Sequence, residues 1–365
     1  MKKDLAEKKD PTLPEDETLA IFADEENQTQ IVKLEQGKPV EWLSETGSRT
    51  VRRLDLYLGE IRDIKPSLKA VFIDIGQEQP GFLPLGECAG QPRVGQPLLV
   101  QIKKRCDPPK GHQLTTRFQF PGPYAVLREG KTPLRRSKLK QWAPSEQDRL
   151  FEQDLNRLSH QWRIWQEEAA GGPRPRLLAV VSDVLDEALF ALLTARTQFI
   201  WVEGTERYTL VYDRLKKMMP DYLPRLKLHL REKEGFSLAA VLGLSQLKQE
   251  ISSKKIYLKK GGFLVIEKTE ALTVIDVNSG KDTRGKDKQE LVNRVNREAA
   301  KELARQLRLR NIGGIVLIDF INMTSDRDRQ ALEDWLRDCT RLDRARFRLY
   351  GYTHLGLYEM TRTAI

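Results

Sequence analysis

Two apolar segments that each end in an aspartate constrain this chain more than any other feature. The segment Ala271–Gly280, ALTVIDVNSG, contains Asp276 and Asn278, and the later run IVLIDF brings Asp319 to the end of a second apolar stretch. Burial of a carboxylate at the end of an apolar strand destabilises the fold unless the carboxylate is paired or holds a cation. In open α/β sheets, moreover, ligands bind outside the carboxyl ends of the strands. The two acids predict a site for a hard divalent cation, with a structural role as strand-end caps as the alternative.

The charge balance indicates the kind of partner. The chain carries 62 Lys and Arg residues against 52 Asp and Glu residues, a formal net charge of +10, and its isoelectric point is about 9.4. This excess favours nucleic acid or another polyanion over a merely basic soluble protein. A length of 365 residues predicts two or three domains.

The cysteines and the hydropathy indicate the compartment. Cys88, Cys106 and Cys339 are far apart and form no CxxC pair, which argues against a zinc ribbon or a disulfide scaffold and fits a reducing compartment. The first residues, MKKDLAEKKD, lack an apolar signal region, and no run reaches about 18 apolar residues. We therefore expect a cytoplasmic protein that has no membrane partner.

The first third of the chain is predicted to consist of short strands. Residues 1–18 are charged and contain two prolines, which predicts a disordered tail. Residues 19–45 alternate as two or three strands. Residues 51–118 contain five short strands separated by glycine and proline turns, a pattern typical of a small OB-fold barrel.

Aromatic and basic residues accompany the predicted barrel. Tyr57, Phe72 and Phe82 lie near its turns, and basic residues surround them, among them Lys103, Lys104, Arg105 and Lys110. Stacking aromatics beside a basic rim are how such barrels hold single strands. On the residues alone, a place in the barrel core is an equally good interpretation for the aromatic rings.

The middle of the chain mixes helices and strands. Residues 119–135 are predicted to be an irregular connector, and residues 145–169 have apolar positions at helical spacing, with Ser145 and Asp148 as a predicted capping box. The segment GGPRPR at residues 171–176 follows, and its glycines and prolines predict a domain or subdomain boundary. Residues 177–250 then resemble an α+β unit, in which the segment YTLVYD is predicted to be a strand.

Residues 251–365 contain both aspartates and a long amphipathic helix. Asp287 and Glu290 form a predicted capping box that opens a helix ending near Leu309. The stripe predicted to pack on a sheet is Leu291, Val292, Val295, Ala299, Leu303 and Leu307. The opposite, basic face consists of Arg294, Arg297, Lys301, Arg305 and Arg308.

Long motifs in this region resemble the catalytic core of the ribonuclease E/G family. They read GGFLVIEKTEALTVIDVNSGK, REAAKELARQLRLRNIGGIVLIDFINM and LGLYEMTR. The barrel segment GEIRDIKPSLKAVFIDIG…PGFLPL resembles the OB-fold inserted in that family. The resemblance covers residues 20–118 and 170–362, and its motifs are specific enough to make chance similarity a poor explanation.

The resemblance implies an α+β multidomain fold. A ribonuclease-H-like subdomain is interrupted by an OB-fold β-barrel and followed by a deoxyribonuclease-I-like α/β subdomain. The implied parts are a disordered tail (1–18), the first part of the ribonuclease-H-like subdomain (19–50), the OB-fold RNA-binding domain (51–118), a connector with a helix in place of a 5′ sensor (119–172), the second part of the ribonuclease-H-like subdomain (173–250) and the catalytic subdomain (251–365).

The resemblance also implies a site and an activity. Family members are magnesium-dependent endoribonucleases specific for single strands, and their metal site matches Asp276, Asn278 and Asp319 here, at the family's spacing. The two aspartates would bind Mg²⁺, with Mn²⁺ as an alternative, and the asparagine would position a water or the scissile phosphate. Lys281 and Arg284 follow closely and are predicted to contact RNA phosphate.

The family's barrel aromatics correspond to Phe72 and Phe82, and its basic loop to Lys103–Lys110. The resemblance therefore shifts these rings from a core interpretation toward RNA stacking. Single-stranded RNA is the partner that it implies.

Three departures from the family pattern narrow these expectations. Residues 119–172 contain no match to the family's Arg-Thr-Ala motif, which senses a 5′-monophosphate. The chain stops at Ile365 without the CPxCxGTG zinc link, so we expect no zinc-linked oligomer, but a monomer or weak dimer. Asn322 occupies a position where the family typically has another acid; because Asp319 is kept, we expect metal binding to survive, weakened by the loss of one negative charge.

The leading hypothesis is therefore a Mg²⁺-dependent endoribonuclease that cleaves single-stranded RNA in processing or decay, such as ribosomal RNA maturation or mRNA turnover. The alternative is a non-catalytic RNA-binding protein or ribosomal RNA maturation factor that keeps the fold. A DNA nuclease is a weaker third hypothesis, because the barrel and the motifs indicate RNA.

Overall fold

The structure is a computed structural model that describes residues 16–45, 51–88, 90–106, 109–259, 261–279 and 288–363. The chain divides into two compact units. We call Met1–Phe22, Val32–Trp42 and His229–Ile365 the sheet unit, and Ala23–Ile31 with Leu43–Leu228 the barrel unit. The subdomain boundaries predicted from the sequence stay a prediction.

The strands are β1 (Glu17–Ala23), β2 (Thr29–Glu35), β3 (Lys38–Ser44), β4 (Leu56–Lys65), β5 (Ala70–Asp74), β6 (Gly81–Pro84), β7 (Pro97–Lys104), β8 (Gln113–Thr115), β9 (Gln119–Pro121), β10 (Ala125–Arg128), β11 (Leu134–Arg135), β12 (Arg176–Ala179), β13 (Thr197–Glu203), β14 (Leu226–His229), β15 (Lys255–Tyr257), β16 (Phe263–Lys268), β17 (Leu272–Asn278), β18 (Gly314–Asp319), β19 (Phe347–Tyr352) and β20 (Tyr358–Arg362). The strands predicted within residues 19–45 are confirmed as β1 to β3. Of the predicted tail, residues 1–15 lie outside the described residues, and Glu17 already begins β1.

The α-helices are α1 (Pro144–Ala169), α2 (Val184–Leu192), α3 (Thr205–Met218), α4 (Arg231–Glu234), α5 (Leu238–Val241), α6 (Leu247–Ser252), α7 (Lys288–Leu309) and α8 (Asp326–Thr340). The helix predicted over residues 145–169 is confirmed as α1. The predicted Ser145–Asp148 capping box is wrong, because Ala143 occupies the N-cap and Asp148 instead pairs with Arg135 at 2.7 Å.

A closed five-stranded barrel forms the centre of the barrel unit. Strands β4, β5, β6, β8 and β7 pair in that order, and β7 pairs back to β4. Gly59 on β4 permits the close approach of β5, because a Cβ on it would lie 2.5 Å from Ile73 Cγ2. Alternate residues such as Val71 and Leu83 fill the interior, and Tyr57 belongs to the same core. The predicted OB-like barrel is confirmed, whereas Tyr57 is a core residue.

Two predictions for the rest of the barrel unit are corrected. Residues 119–135 are not irregular, because β9, β10 and β11 form a small antiparallel sheet. The segment YTLVYD is helical within α3, although its composition favours a strand. Val211 and Leu215 are buried four residues apart, so the packing of one helix face decided the conformation.

The sheet unit contains a six-stranded sheet in the order β15, β16, β17, β18, β20, β19. All neighbours are antiparallel except β17 and β18, which are parallel and are connected through α7. A parallel pair requires such a crossover. Helix α7 packs against α8, and both contribute to the core on one face of the sheet. The other face, which we call the open face, carries exposed Ile315 and Tyr350.

Helix α7 confirms the predicted apolar stripe, since Val295, Ala299 and Leu303 are buried. The predicted cap residue Asp287 lies outside the described residues. Of the basic face, Arg294, Arg297 and Lys301 are exposed, whereas Arg308 is buried and pairs with Glu35 at 2.8 Å.

Candidate functional site

Asp276 and Asp319 lie side by side at the ends of neighbouring strands. The parallel register of β17 and β18 places the two residues directly opposite each other. Neighbouring strands are about 4.8 Å apart, so both carboxylates project from adjacent positions on one face. Ile275 and Ile318 point to the buried face, which leaves Asp276 half-buried and Asp319 exposed on the open face. The pairing predicted from two apolar runs therefore exists in the fold.

Asn278 joins this pair on the same face, two residues beyond Asp276. Its Nδ2 donates a hydrogen bond to Asp276 Oδ2 at 2.6 Å. The amide also has a carbonyl oxygen, which can accept from a water or bind a cation. The structure thus brings together all three residues that the sequence predicted for the metal site.

A tight turn is pressed against the end of β17. Gly262 follows β15, has φ of +90°, and would place a Cβ 2.3 Å from the carbonyl oxygen of Asn278. Only glycine satisfies both the conformation and the close approach. The turn therefore fixes the start of β16 beside the site.

Asn296 holds the segment that follows Asp319. It is fully buried on α7, donates to the carbonyl oxygen of Ile321 at 2.8 Å and accepts from the Ile321 N–H at 3.1 Å. Ile321 is two residues beyond Asp319, so these bonds fix the backbone at the end of β18. The sequence reasoning missed Asn296. Its signal was a polar residue directly beside the apolar stripe of α7.

Phe72 and Phe82 lie on the outside of the barrel. They are direct cross-strand neighbours on β5 and β6, and both are half-buried. Their ring centroids are 6.1 Å apart in an edge-to-face arrangement. Val71, Ile73 and Leu83, which alternate with them, fill the interior. The rings are therefore surface aromatics, and the alternative of ordinary core residues does not hold for these two.

A basic segment, which we call the basic loop, ends beside these rings. Lys103 and Lys104 close β7, Arg105 and Lys110 follow before β8, and all four side chains are exposed. The backbone N–H of Phe82 donates to the carbonyl oxygen of His112 at 2.8 Å, which ties the loop's end to β6. The predicted basic residues thus extend from a loop attached at Phe82.

Lys281 and Arg284, predicted to contact phosphate, lie outside the described residues. The other predicted residues form one group on the sheet unit and one on the barrel unit.

A comparison with known proteins identifies the family. A model of the ribonuclease E/G family matches residues 140–365, more than half of the chain. The chain belongs to the ribonuclease E/G family. The resemblance predicted from the motifs is therefore confirmed.

Curated members of this family align with most of the chain. Ribonuclease E of Haemophilus influenzae is 34% identical over 358 residues, which cover 85% of this chain and 38% of that protein. Ribonuclease E of Escherichia coli is 34% identical over 360 residues, covering 85% and 33%. Ribonuclease G of Salmonella typhimurium is 30% identical over 362 residues, covering 84% and 72%. The chain thus spans about a third of the length of the two ribonuclease E relatives.

Among the residues that the structure describes, no helix is long and apolar enough to cross a membrane.

The donor set on the open face of this ribonuclease E/G chain fits Mg²⁺. Within the described ranges, no three or more His, Cys, Asp or Glu side chains form a ligand cluster. Two adjacent carboxylates with an amide neighbour suit Mg²⁺, because this ion usually binds one or two protein carboxylates and keeps several waters. Asn322, the departure from the family pattern, is exposed in the segment after β18.

Proposed function

We propose that this chain is the catalytic part of a metal-dependent endoribonuclease that cleaves single-stranded RNA in processing or decay. The observation that carries the proposal is the direct register of Asp276 with Asp319 at the carboxyl ends of β17 and β18. Family membership supports it, because the relatives are named ribonuclease E and ribonuclease G.

The three residues of the proposed site have different roles. Asp276 and Asp319 would hold Mg²⁺, or Mn²⁺, which when bound supplies Lewis-acid polarisation of the phosphate and a water of lowered pKa. Asn278 is hydrogen-bonded to Asp276 and is placed to orient a water or a phosphate oxygen. Holding the reacting groups in one geometry removes much of the entropic barrier.

The barrel face would bind the strand. Phe72 and Phe82 offer ring surface for stacked bases, and the loop with Lys103 and Lys110 offers cations for the backbone. Binding should weaken steeply as salt rises, because phosphate contacts release counterions.

The alternative is a non-catalytic RNA-binding protein. The barrel face supports this alternative, because its aromatic rings and cations would bind RNA even if the sheet unit had no catalytic activity. A DNA nuclease is the remaining alternative, and a DNA substrate of the same sequence tests it.

The test is cleavage of a fluorescent single-stranded RNA by the wild type, Asp276→Asn and Asp319→Asn, with Mg²⁺ or with a chelator. Each substitution should lower the cleavage rate about 10²–10³-fold, the usual cost of removing one group that stabilises transition-state charge. Glu359→Gln is the matched control, because Glu359 is an exposed carboxylate on β20 of the same sheet. RNA affinity should be nearly equal in all four proteins.

A wild type that cuts no faster than Asp319→Asn, while it binds RNA equally well, would establish the binding protein instead. Equal cleavage of the DNA strand would establish the nuclease without RNA specificity. A rate that is unaffected by the chelator would remove the metal from the proposal.

A further inference from the structure

An aromatic pair with a lysine lies on the open face of the sheet, and the roles proposed above do not use it. Tyr257 on β15 is 73% exposed, and Phe263 on β16 is half-buried. Their ring centroids are 6.1 Å apart. The Lys255 Nζ lies 3.7 Å from the centroid of the Phe263 ring and 4.9 Å from that of Tyr257. We call these three side chains the aromatic platform.

Strand register places the platform next to the acidic pair. Tyr257 pairs with Phe263, and Phe263 pairs with Asn278, so these three form one row across the sheet. The adjacent row runs from Lys255 through Val265 and Asp276 to Asp319. Neighbouring strands are about 4.8 Å apart, so the backbone of Phe263 lies one strand away from that of Asn278, and the backbone of Tyr257 lies two strands away.

Packing does not account for the platform. Ile256, Leu258 and Leu264, which alternate with its members, already fill the core beneath. A tyrosine that is 73% exposed buries little area and adds little to stability. Its position on an edge strand, where exposed aromatics are a liability, makes a binding role the better account.

The neighbouring turn makes the platform rigid relative to the site. Gly262 immediately precedes Phe263 and contacts the Asn278 carbonyl at a distance that no Cβ would allow. The Phe263 backbone is thereby fixed in two ways, by the turn and by its pairing with Asn278. A fixed backbone lowers the ordering cost when the side chain that it carries binds a flat ligand.

We propose that the aromatic platform is a stacking subsite for the unpaired base adjacent to the scissile phosphate of the RNA. The proposal rests on the proposed function. The rings offer π-faces to any base, and Lys255 offers a cation to the backbone phosphate beside it. An RNA strand is favoured over an apolar protein partner because the surface combines rings, a lysine and a row that continues directly into the acidic pair.

Photocrosslinking locates the base independently of cleavage. Asp319→Asn is incubated with oligoribonucleotides that carry 5-iodouridine at successive positions, and mass spectrometry identifies the modified residue. Adducts on Tyr257 or Phe263 are expected only when 5-iodouridine flanks the bond that the wild type cuts. Tyr350, 59% exposed on β19 of the same sheet, is the matched control and should form no adduct.

Adducts confined to Phe72 and Phe82, or equally frequent on Tyr350, would overturn the subsite. A wild type that crosslinks at the platform but cuts no RNA would refute the proposed function and leave a binding surface. The two failures are therefore distinguishable.

An abasic substrate tests the energetic role. Removal of the flanking base should slow wild-type cleavage about 5- to 100-fold, as expected for one stacked base. In Tyr257→Ala combined with Phe263→Leu, the same removal should cost less than twofold. The first change is at an exposed side chain and the second keeps an apolar residue, so folding should survive. If removal of the base slowed the wild type and the double variant equally, the proposal would be overturned. A double variant that changed its oligomeric state but bound RNA as before would also overturn it.

Discussion

The sheet unit and the barrel unit place charge in opposite ways. The open face of the sheet carries the carboxylates Asp276 and Asp319, whereas the outer face of the barrel carries Phe72 and Phe82 beside a basic loop. A polyanionic strand is attracted to the second face and repelled by the first unless a cation neutralises it. This difference separates the proposed RNA-binding face from the proposed site of cleavage, where a bound metal ion would supply the neutralising charge.

The two units also differ in how they bury charge. In the sheet unit, buried Arg362 pairs with Asp343 at 2.8 Å, and Arg308 with Glu41 at 3.1 Å. Although burial alone would raise the pKa of Glu41, the guanidiniums of Arg344 and Arg308 lower it below its usual range. In the barrel unit, burial raises the pKa of Asp55 to about 6, against a smaller opposing effect of the Arg52 backbone N–H. Both shifts make stability depend on pH, but in opposite directions: the Glu41 contribution is lost as the pH falls, and the Asp55 contribution is lost as the pH rises.

The largest expected effect is on the paired charges. Asp343→Ala should lower the free energy of unfolding of the sheet unit by about 3–5 kcal/mol, because it leaves the Arg362 guanidinium buried without its carboxylate. Hydrogen exchange of the β18 and β20 amides measures the loss. Asp334→Ala is the control, since its pair with Arg337 is exposed and should contribute at most about 1 kcal/mol. Equal losses in the two variants would show that burial does not distinguish these pairs.

The second prediction concerns Asn296. Asn296→Ala removes both bonds to Ile321, and a displacement of about 1 Å at the end of β18 would cost about 10²-fold in cleavage rate. Asn296→Asp keeps the acceptor for the Ile321 N–H and should recover part of that rate. Asn293→Ala, one turn earlier on α7, is the matched control. Equal rates for the two alanine variants would remove Asn296 as a positioning residue.

The site itself was largely predictable from the sequence. Alternation along β17 and β18 determines which face Asp276 and Asp319 occupy, and the strand ends determine which edge. The intervening helix then makes the two strands parallel, and the apolar stripe of α7 fixes the face that is buried. These signals all lie in the continuous segment from β17 to β18, so they can be read from the sequence without distant contacts.

The rest depended on contacts that no local window contains. Arg308 fits an exposed helix face until Glu35 and Glu41, more than 260 positions earlier in the chain, are brought to it. Tyr257 and Phe263 become neighbours only through the register of β15 with β16. The helix at YTLVYD was missed because β-branched and aromatic residues favour strands until burial of Val211 decides the conformation.

The third prediction is the pH dependence of the barrel unit. The folded pKa of Asp55 is about 6 and its ordinary value is 3.8, so the folded state favours the protonated acid. The contribution to stability is complete below pH 4 and is lost as the pH rises through 6, by about 3 kcal/mol at about 1.4 kcal/mol per pKa unit. Urea unfolding between pH 4 and 8 measures it. Asp55→Asn should remove this part of the pH dependence, and superimposable profiles would contradict the assignment.

The smallest predicted effect is on RNA binding by the aromatic pair of the barrel. Phe72→Ala and Phe82→Ala should each weaken RNA binding by about 1–2 kcal/mol, the lower part of the range for one stacked base, because each ring is already half-buried. The cleavage rate at saturating RNA should change little, since we propose that the barrel binds the strand and that the sheet unit carries the chemistry. Phe199→Ala, an exposed phenylalanine on β13, is the control. If the saturated rate fell as much as the affinity, the barrel face would take part in the transition state, and the proposed separation of RNA binding from cleavage would not hold.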